Sequence, residues 1–221
     1  MVSLTNINTI NQHIEHTLLK PDAAFSAIEQ LCNEALKFGF FGVCVPPYYI
    51  AKAKAIVNNN CKVITVIGFP MGYSATVAKA EEAKKALDDG ADELDMVINL
   101  AAAKSADWTT VTNDIDTVLR LTHRQGKKLK VIIESGLLNN DEIIKACEIC
   151  ANLGVDFVKT STGVNGPGAS VAQIQLMRKQ LPANIEIKAS GGIKNRAFAL
   201  ELINAGANRI GTSSGIKIIE E

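Results

Sequence analysis

The sequence lacks a surplus of charge of either sign. Its 23 lysine and arginine residues balance 23 aspartate and glutamate residues, which gives a formal net charge of +0. Attraction of nucleic acid or of an anionic membrane surface needs a sustained basic field, and none is present. We therefore expect neither a nucleic-acid partner nor a membrane partner. The composition, 47% hydrophobic and 21% charged, is that of a globular protein.

The sequence also lacks a long apolar run. No stretch approaches the roughly 20 apolar residues that span a bilayer, and the start, MVSLTNINTINQHIEHTLLK, has no basic segment followed by an apolar one. The cysteines are odd in number and scattered among apolar neighbours, which favours reduced thiols. We expect a cytoplasmic protein. The five cysteines are Cys32, Cys44, Cys61, Cys147 and Cys150.

Side chains that bind metals are scarce. Of the three histidines, His13 and His16 flank Glu15, but on a strand their side chains would point to opposite faces. Cys147 and Cys150 form a C-x-x-C on a predicted helix, and no second pair completes a zinc site. We expect these two cysteines to contribute to the packing of the helix, and we predict no metal site.

What the sequence does contain is a recurring unit. Four glycines follow predicted helices and lead into apolar strands, at Gly39, Gly90, Gly154 and Gly206. Glycine commonly ends a helix because it adopts the left-handed backbone conformation there. The intervals between these glycines are too long for one strand–helix unit and suit two.

This pattern predicts eight strands, each followed by a helix, which favours a closed (β/α)8 TIM barrel with a short N-terminal helix. Residues 1–221 would form a single domain. A doubly wound open sheet is the alternative, but it would want a glycine-rich dinucleotide turn after the first strand, where HTLLKPDAA stands. The predicted strands lie near 14–19, 42–45, 62–67, 93–98, 130–134, 156–160, 185–189 and 208–211.

Polar side chains end several of these apolar strands, at Asp95, Glu134, Lys159 and Lys188. Active sites of TIM barrels lie at the carboxyl ends of the strands. If strands six and seven are neighbours, the two lysines approach each other. A second ammonium group and an apolar barrel wall lower the pKa of a lysine and supply the neutral amine that Schiff-base chemistry needs. Alternatively, the lysines reach solvent from the strand ends and Asp95 caps a turn.

Small residues after strands seven and eight suggest a phosphate site. Gly191 and Gly192 precede a predicted helix, and the run GTSSG at 211–215 offers backbone N–H groups and the hydroxyls of Ser213 and Ser214. These loops are the usual phosphate site of the fold, and Lys194 would add charge. Glycine-rich loops also serve as plain turns, but two of them at these positions favour phosphate.

Six motifs in order carry a resemblance to a known family: HTLLKP (16–21), GFPMG (68–72), GADELDMVIN (90–99), KTSTG (159–163), KASGGI (188–193) and GTSSG (211–215). Over essentially its whole length the sequence resembles the deoxyribose-phosphate aldolases. The resemblance implies a class I aldolase of deoxyribonucleoside catabolism. Such an enzyme reversibly cleaves 2-deoxy-D-ribose 5-phosphate into acetaldehyde and D-glyceraldehyde 3-phosphate, with neither metal nor cofactor. We also expect a homo-oligomer, either a dimer or a tetramer.

The resemblance further implies roles that chemistry alone leaves open, since the two lysines are otherwise interchangeable. Lys159 matches the Schiff-base lysine, Lys188 the lysine that depresses its pKa, and Asp95 the acid and base of proton transfer. The residues implied to hold the phosphate are Gly163, Gly191, Gly192, Ser213 and Ser214, and we add Lys194.

Two departures from the family pattern stand out. Glu15 replaces the aspartate of I-D-H-T-L-L and is one methylene longer, which leaves its part in a proton relay open. Lys194 replaces an arginine of many members, so a point charge takes the place of a possible bidentate clamp.

Other functions stay open on the sequence. A metal-dependent aldolase would need ligand spacing that the histidines lack. An isomerase or synthase would use the lysines as acid and base. A regulatory barrel would bind a phosphorylated metabolite without turnover.

Overall fold

Residues 7–221 are described by a computed structural model, and within them eight parallel strands form a closed barrel. The strands pair in chain order, and β8 closes the barrel against β1. The predicted (β/α)8 architecture is confirmed, and the open-sheet alternative is wrong. Strands β1–β8 cover Ile14–Thr17, Gly42–Cys44, Lys62–Ile67, Glu93–Val97, Lys128–Ile132, Phe157–Lys159, Glu186–Ser190 and Arg209–Thr212.

The described residues also contain nine α-helices on the outside of the barrel and three short 3-10 helices. The predicted N-terminal helix is one of the latter, at Ile7–His13, so His13 ends a 3-10 helix and does not lie on a strand. The other two are Pro47–Tyr49 and Ser135–Leu137. Helices α1–α9 cover Phe25–Phe38, Ile50–Val57, Thr76–Asp88, Leu100–Lys104, Trp108–Arg124, Asn140–Leu153, Val171–Gln180, Arg196–Asn204 and Gly215–Glu220.

Across residues 7–221, none of the helices has the length and apolar character needed to cross a bilayer. The cytoplasmic expectation drew in part on the first residues of the chain, and residues 1–6 lie outside the described part.

The predicted helix-ending glycines have the expected backbone conformation. Gly39, Gly90, Gly154 and Gly206 all have positive φ, at 63°, 99°, 73° and 120°. The N–H of Gly154 donates back to carbonyls of the last turn of α6, which satisfies groups that the helix end leaves open. These glycines therefore reverse the chain from each helix into the next strand.

The main core lies between the outward faces of the strands and the helices, and all five cysteines are buried as free thiols. Cys147 and Cys150 lie on α6 and pack into the core, as predicted. Burial raises the pKa of Cys147 to about 12. A buried ion pair joins α3 to α5. Lys79 contacts Asp114 and also donates to the carbonyl of Val97, 2.9 Å away at the end of β4.

Several predicted strand bounds are wrong by one or two residues. The clearest case is β5, which ends at Ile132 and leaves Glu134 beyond the strand. Glu134 has a φ of 51°, a left-handed conformation that cannot continue a strand. The carboxylate therefore belongs to the loop after β5.

Candidate active site

Lys159 and Lys188 lie side by side inside the barrel. They are register partners on β6 and β7, and their exposed fractions are 3% and 0%. Both side chains donate to Oδ2 of Asp95, from 2.8 Å for Lys159 and 2.6 Å for Lys188. The predicted convergence of the two lysines and the aspartate is therefore present in the structure.

Asp95 lies on β4 and is surrounded by three ammonium groups. Its second oxygen, Oδ1, accepts a hydrogen bond from Lys130 on β5 at 3.0 Å. Burial alone would raise the pKa of the Asp95 carboxyl. The ammonium groups of Lys130, Lys159 and Lys188 outweigh burial and hold that pKa well below its usual range.

A further layer of charge lies beneath the lysines. Glu15 on β1 is fully buried and pairs with Lys188, and its Oε1 lies 3.5 Å from Nζ of Lys130. Glu93 on β4 pairs with Lys130 at 2.5 Å. Arg209 on β8 approaches Glu15 at 3.7 Å and Glu93 at 3.9 Å. This network links five strands, β1, β4, β5, β7 and β8, across the barrel interior.

The interior of the barrel thus has two unlike sides. The side formed by β2 and β3 carries a small apolar cluster of Cys44, Ile64 and Val66. The remaining interior side is mostly charged, although the ring of Phe157 lies among its cations, so the expectation of an apolar wall around the lysines holds mainly for one side. The carboxylates on the charged side compensate buried ammonium groups that would otherwise be costly.

The three lysines that contact Asp95 differ in pKa. Burial lowers the pKa of Lys159, Asp95 opposes this effect, and the Lys188 ammonium lowers it further. Burial would also lower the pKa of Lys188, but Asp95 and Glu15 together raise it above its ordinary value. The pKa of Lys130 is likewise raised, because carboxylates outweigh its burial. Lys159 is therefore the lysine of this group that loses its proton most readily.

Sequence reasoning missed three members of this network: Lys130, Glu93 and Arg209. A signal for two of them existed, since Glu93 precedes Asp95 by two residues and so shares its strand face. Lys130 follows the same alternation within KLKVI, whose strand pairs with β4. Arg209 had no such signal, because its approach to Glu15 depends on how the barrel closes.

A cavity of about 350 Å³ opens above the lysines at the carboxyl ends of the strands. Lys159 lines it, whereas Asp95 and Lys188 lie fully buried below. All the residues proposed for phosphate line the same cavity: Gly163, Gly191, Gly192, Lys194, Ser213 and Ser214. The structure therefore brings the two halves of the predicted site into one space.

The helix termini near this cavity differ from the sequence-based expectation. The first N–H of α8, from Arg196, donates to a carboxylate oxygen of Glu221 at 2.9 Å. The N–H of Ser214 donates to the hydroxyl of Thr212 at 2.9 Å. These two donors are already used within the chain. The glycines at 163, 191 and 192 and the serine hydroxyls remain the predicted phosphate contacts.

The two histidines that flank Glu15 take separate partners. His13 lies 2.8 Å from the carbonyl of Asn208, through Nδ1, and His16 lies 2.9 Å from Glu34, through Nε2. The two rings therefore contact different parts of the fold: His13 contacts the residue before β8, and His16 contacts α1.

Comparison with known proteins places this site in a family context. Residues 10–221 match the DeoC/LacD family of aldolases. The chain is 50% identical to a deoxyribose-phosphate aldolase of Thermococcus kodakarensis over 218 residues, which cover 97% of each chain. It is 48% identical to the enzyme of the same name from Lactococcus lactis over 212 residues, 96% of each chain.

Solved structures agree with the sequence matches. An aldolase named QR15 superposes with a TM-score of 0.92 at 41% identity, covering 96% of this chain and 95% of that one. A deoxyribose phosphate aldolase from Aeropyrum pernix, described as a unique tetramer, gives a TM-score of 0.90 at 31% identity. That match covers 97% of this chain and 91% of the other.

Proposed function

This chain belongs to the DeoC/LacD family of aldolases, and we propose that it reversibly cleaves 2-deoxy-D-ribose 5-phosphate into acetaldehyde and D-glyceraldehyde 3-phosphate. The names of relatives that are about half identical over nearly the whole chain support this substrate. The reaction would serve deoxyribonucleoside catabolism in the cytoplasm. The tetrameric relative supports a homo-oligomeric state for this chain.

The observation that carries the proposal is the position of Lys159 at the floor of the cavity, buried beside Lys188 and Asp95, where burial and the Lys188 ammonium lower its pKa. Only the neutral amine of a lysine attacks a carbonyl. The surrounding network holds three carboxylates, Glu15, Glu93 and Asp95, against four basic side chains. If Lys159 is neutral, the remaining three cations balance the three carboxylates, so loss of the Lys159 proton leaves the charges of this network in balance.

The first step is imine formation. The amine of Lys159 attacks the aldehyde carbon, C1, of the open-chain sugar, and the carbinolamine loses its hydroxyl as water to give an iminium ion. Water departure needs a proton donor and the amine needs a proton acceptor. We assign the relay of that proton to Asp95, and its contacts with Lys159 and Lys188 through one oxygen support this role.

The second step breaks the C2–C3 bond. A base removes the proton of the C3 hydroxyl, the electron pair of the C2–C3 bond moves toward the iminium nitrogen, and C3 becomes the aldehyde of glyceraldehyde 3-phosphate. The enamine left on Lys159 then takes a proton at C2, and water hydrolyses the imine to release acetaldehyde. The atoms balance without any redox step, so the reaction requires only an acid, a base and a nucleophile.

The phosphate end of the sugar would lie several bonds away, among the glycines and serines of the loops after β6, β7 and β8. Backbone N–H groups and hydroxyls suit a phosphate dianion. The ammonium of Lys194 would add a point charge at the rim of the cavity.

Borohydride trapping tests the proposal. The protein is incubated with acetaldehyde, reduced, digested and mapped by mass spectrometry, and the expected ethyl adduct lies on Lys159. Lys159→Ala serves as the matched control and should give no adduct and no cleavage while its circular dichroism stays unchanged. An adduct on Lys188 with Lys159 unmodified would reverse the assignment of the two lysines.

The same assay separates the competing functions. A metal-dependent aldolase would lose activity in a chelator and form no adduct, and an isomerase or synthase would convert a sugar phosphate without imine trapping. A regulatory barrel would bind the sugar phosphate without turnover. The proposal requires turnover that chelator does not affect, together with an adduct.

A further inference from the structure

Glu134 binds one side of the loop that follows β6. Its side chain is fully buried, and its carboxylate accepts from the N–H of Thr162 at 3.1 and 3.2 Å and from the hydroxyl of Thr162 at 2.5 Å. The amide of Asn165 contributes a longer hydrogen bond at 3.4 Å. All these donors belong to residues 160–170, which we call the β6 loop.

The other side of the β6 loop packs against the loop after β7. A methyl group placed on Gly168 would lie 2.0 Å from the carbonyl oxygen of Gly191, and one placed on Gly191 would lie 3.3 Å from Cα of Gly163. The two backbones therefore touch directly at the glycines proposed to hold phosphate. Any shift of the β6 loop moves one wall of that site.

The backbone at Glu134 is itself constrained. A φ of 51° is uncommon for a residue with a side chain, and such a conformation persists when the surrounding contacts over-determine it. Here the N–H of the next residue, Ser135, donates to the carbonyl of Thr160 at 2.8 Å. The left-handed turn thus directs the Glu134 side chain toward the β6 loop.

The same hydrogen-bond network reaches a third loop. Asn165, which contacts Glu134, also donates to the carbonyl of Pro70 at 2.7 Å. Pro70 follows Phe69, which also lines the cavity. One buried carboxylate therefore connects the loops after β3, β5 and β6, and through the glycine contacts the loop after β7.

We propose that Glu134 is a positioning residue that fixes the β6 loop so that Gly163 and Gly191 form the phosphate end of the cavity. The proposal rests on the proposed function for the identity of the phosphorylated substrate. Lys159 precedes the loop and is held by the barrel ladder, since its carbonyl accepts from the N–H of Ile133 at 3.0 Å. Glu134 should therefore govern phosphate affinity and leave imine formation at Lys159 unaffected.

Glu134→Gln tests this with almost no change of shape. An amide nitrogen would then face the donors of Thr162 and Asn165, and one strong acceptor would be lost. We expect the Kd for inorganic phosphate, measured by isothermal titration calorimetry, and the KM for the sugar phosphate to rise by about tenfold. Cleavage of unphosphorylated 2-deoxyribose and acetaldehyde trapping on Lys159 should stay within about twofold of the parent, because the strands that hold the lysine do not move.

Glu142→Gln is the matched control. Glu142 is a carboxylate on α6 of the same βα unit, and it accepts from the N–H of Asn139 and from Lys104 without touching the β6 loop. It should leave both the phosphate Kd and the KM unchanged. An equal loss on phosphorylated and unphosphorylated sugars in Glu134→Gln, or no loss on either, would overturn the proposal.

Thr162→Val provides a second route if Glu134→Gln does not fold. Valine removes the hydroxyl that donates to Glu134 and that accepts from the N–H of Val164 at 3.1 Å, and it keeps the branched shape, so the phosphate Kd should rise in the same direction. In the double variant the two effects should fall short of their product, because both substitutions disrupt the contact between Glu134 and the Thr162 hydroxyl. Independent, fully multiplicative effects would mean that Glu134 does not act through the loop.

If the parent protein fails to cleave the sugar phosphate, the proposed function fails, while the phosphate Kd still reports on Glu134.

Discussion

Lys159 and Lys188 donate to the same oxygen of Asp95, at 2.8 and 2.6 Å. Only Lys188 has a second carboxylate partner, Glu15. Two neighbouring lysines thus share one counter-charge, and the second carboxylate determines which of them keeps its proton. This asymmetry raises the pKa of Lys188 and leaves the pKa of Lys159 lowered by burial.

Lys188→Met should move the rising limb of the pH–rate profile to higher pH. The substitution removes an ammonium that lowers the pKa of Lys159, and Asp95, which raises it, remains. Because the rate follows the neutral fraction of Lys159, a higher pKa requires a higher pH for the same rate. A pH series of kcat/KM measures this. A limb that stays in place would mean that burial alone tunes the nucleophile.

Asp95→Asn should move the same limb in the opposite direction. Loss of the carboxylate removes the group that raises the pKa of Lys159. The plateau should nevertheless fall, on the order of 10²-fold, since the proton carrier is gone. The KM for the sugar phosphate should change little, because the asparagine keeps the shape. A lower plateau with an unmoved limb would contradict the electrostatic assignment.

Ser213→Asp should weaken phosphate binding without affecting the lysines. The new carboxylate would face the dianion in the cavity, and like-charge repulsion should raise the KM by about tenfold or more. Imine trapping with acetaldehyde should survive, and unphosphorylated 2-deoxyribose should be cleaved as poorly as by the parent. If the variant instead loses the adduct and keeps affinity for the sugar phosphate, the loop after β8 supports the lysines.

Asp114→Asn should destabilise the barrel, because it leaves the buried ammonium of Lys79 without its carboxylate. Breaking a buried pair from one side costs about 3–5 kcal/mol of unfolding free energy. Urea denaturation measures the loss. The double variant with Lys79→Met should recover much of it, whereas Lys85→Met at an exposed pair should have little effect. No recovery in the double variant would show that the loss has another cause.

The sequence predicted those parts of the site that follow from strand periodicity. Two apolar strands that end in lysine, adjacent in a parallel barrel, necessarily bring Lys159 and Lys188 together once their register matches. Asp95 followed from the same alternation. These features depend on local pattern and on strand order, and both can be inferred from the amino-acid sequence.

Contacts across the barrel lacked such a signal. The approach of Arg209 to Glu15 depends on the closure of β8 onto β1. The bond from Arg196 to Glu221 joins the start of α8 to the residue that follows α9, and the periodicity of the two helices does not predict it. Glu134 fell outside its predicted strand because one left-handed residue ended the strand early. The closure of a barrel and the point at which one residue leaves the strand conformation produce no repeating sequence pattern, so periodicity does not predict them.

The direct contact between Gly168 and Gly191 makes the loops after β6 and β7 a single module for protein engineering. Neither glycine admits a side chain without a clash against the other backbone. A chimera that takes one of these loops from a distant relative must take the other loop from the same parent. Libraries that randomise either position alone would introduce this clash in almost every member, so diversity for new substrates is better introduced at Val164, which is 63% exposed on the same loop.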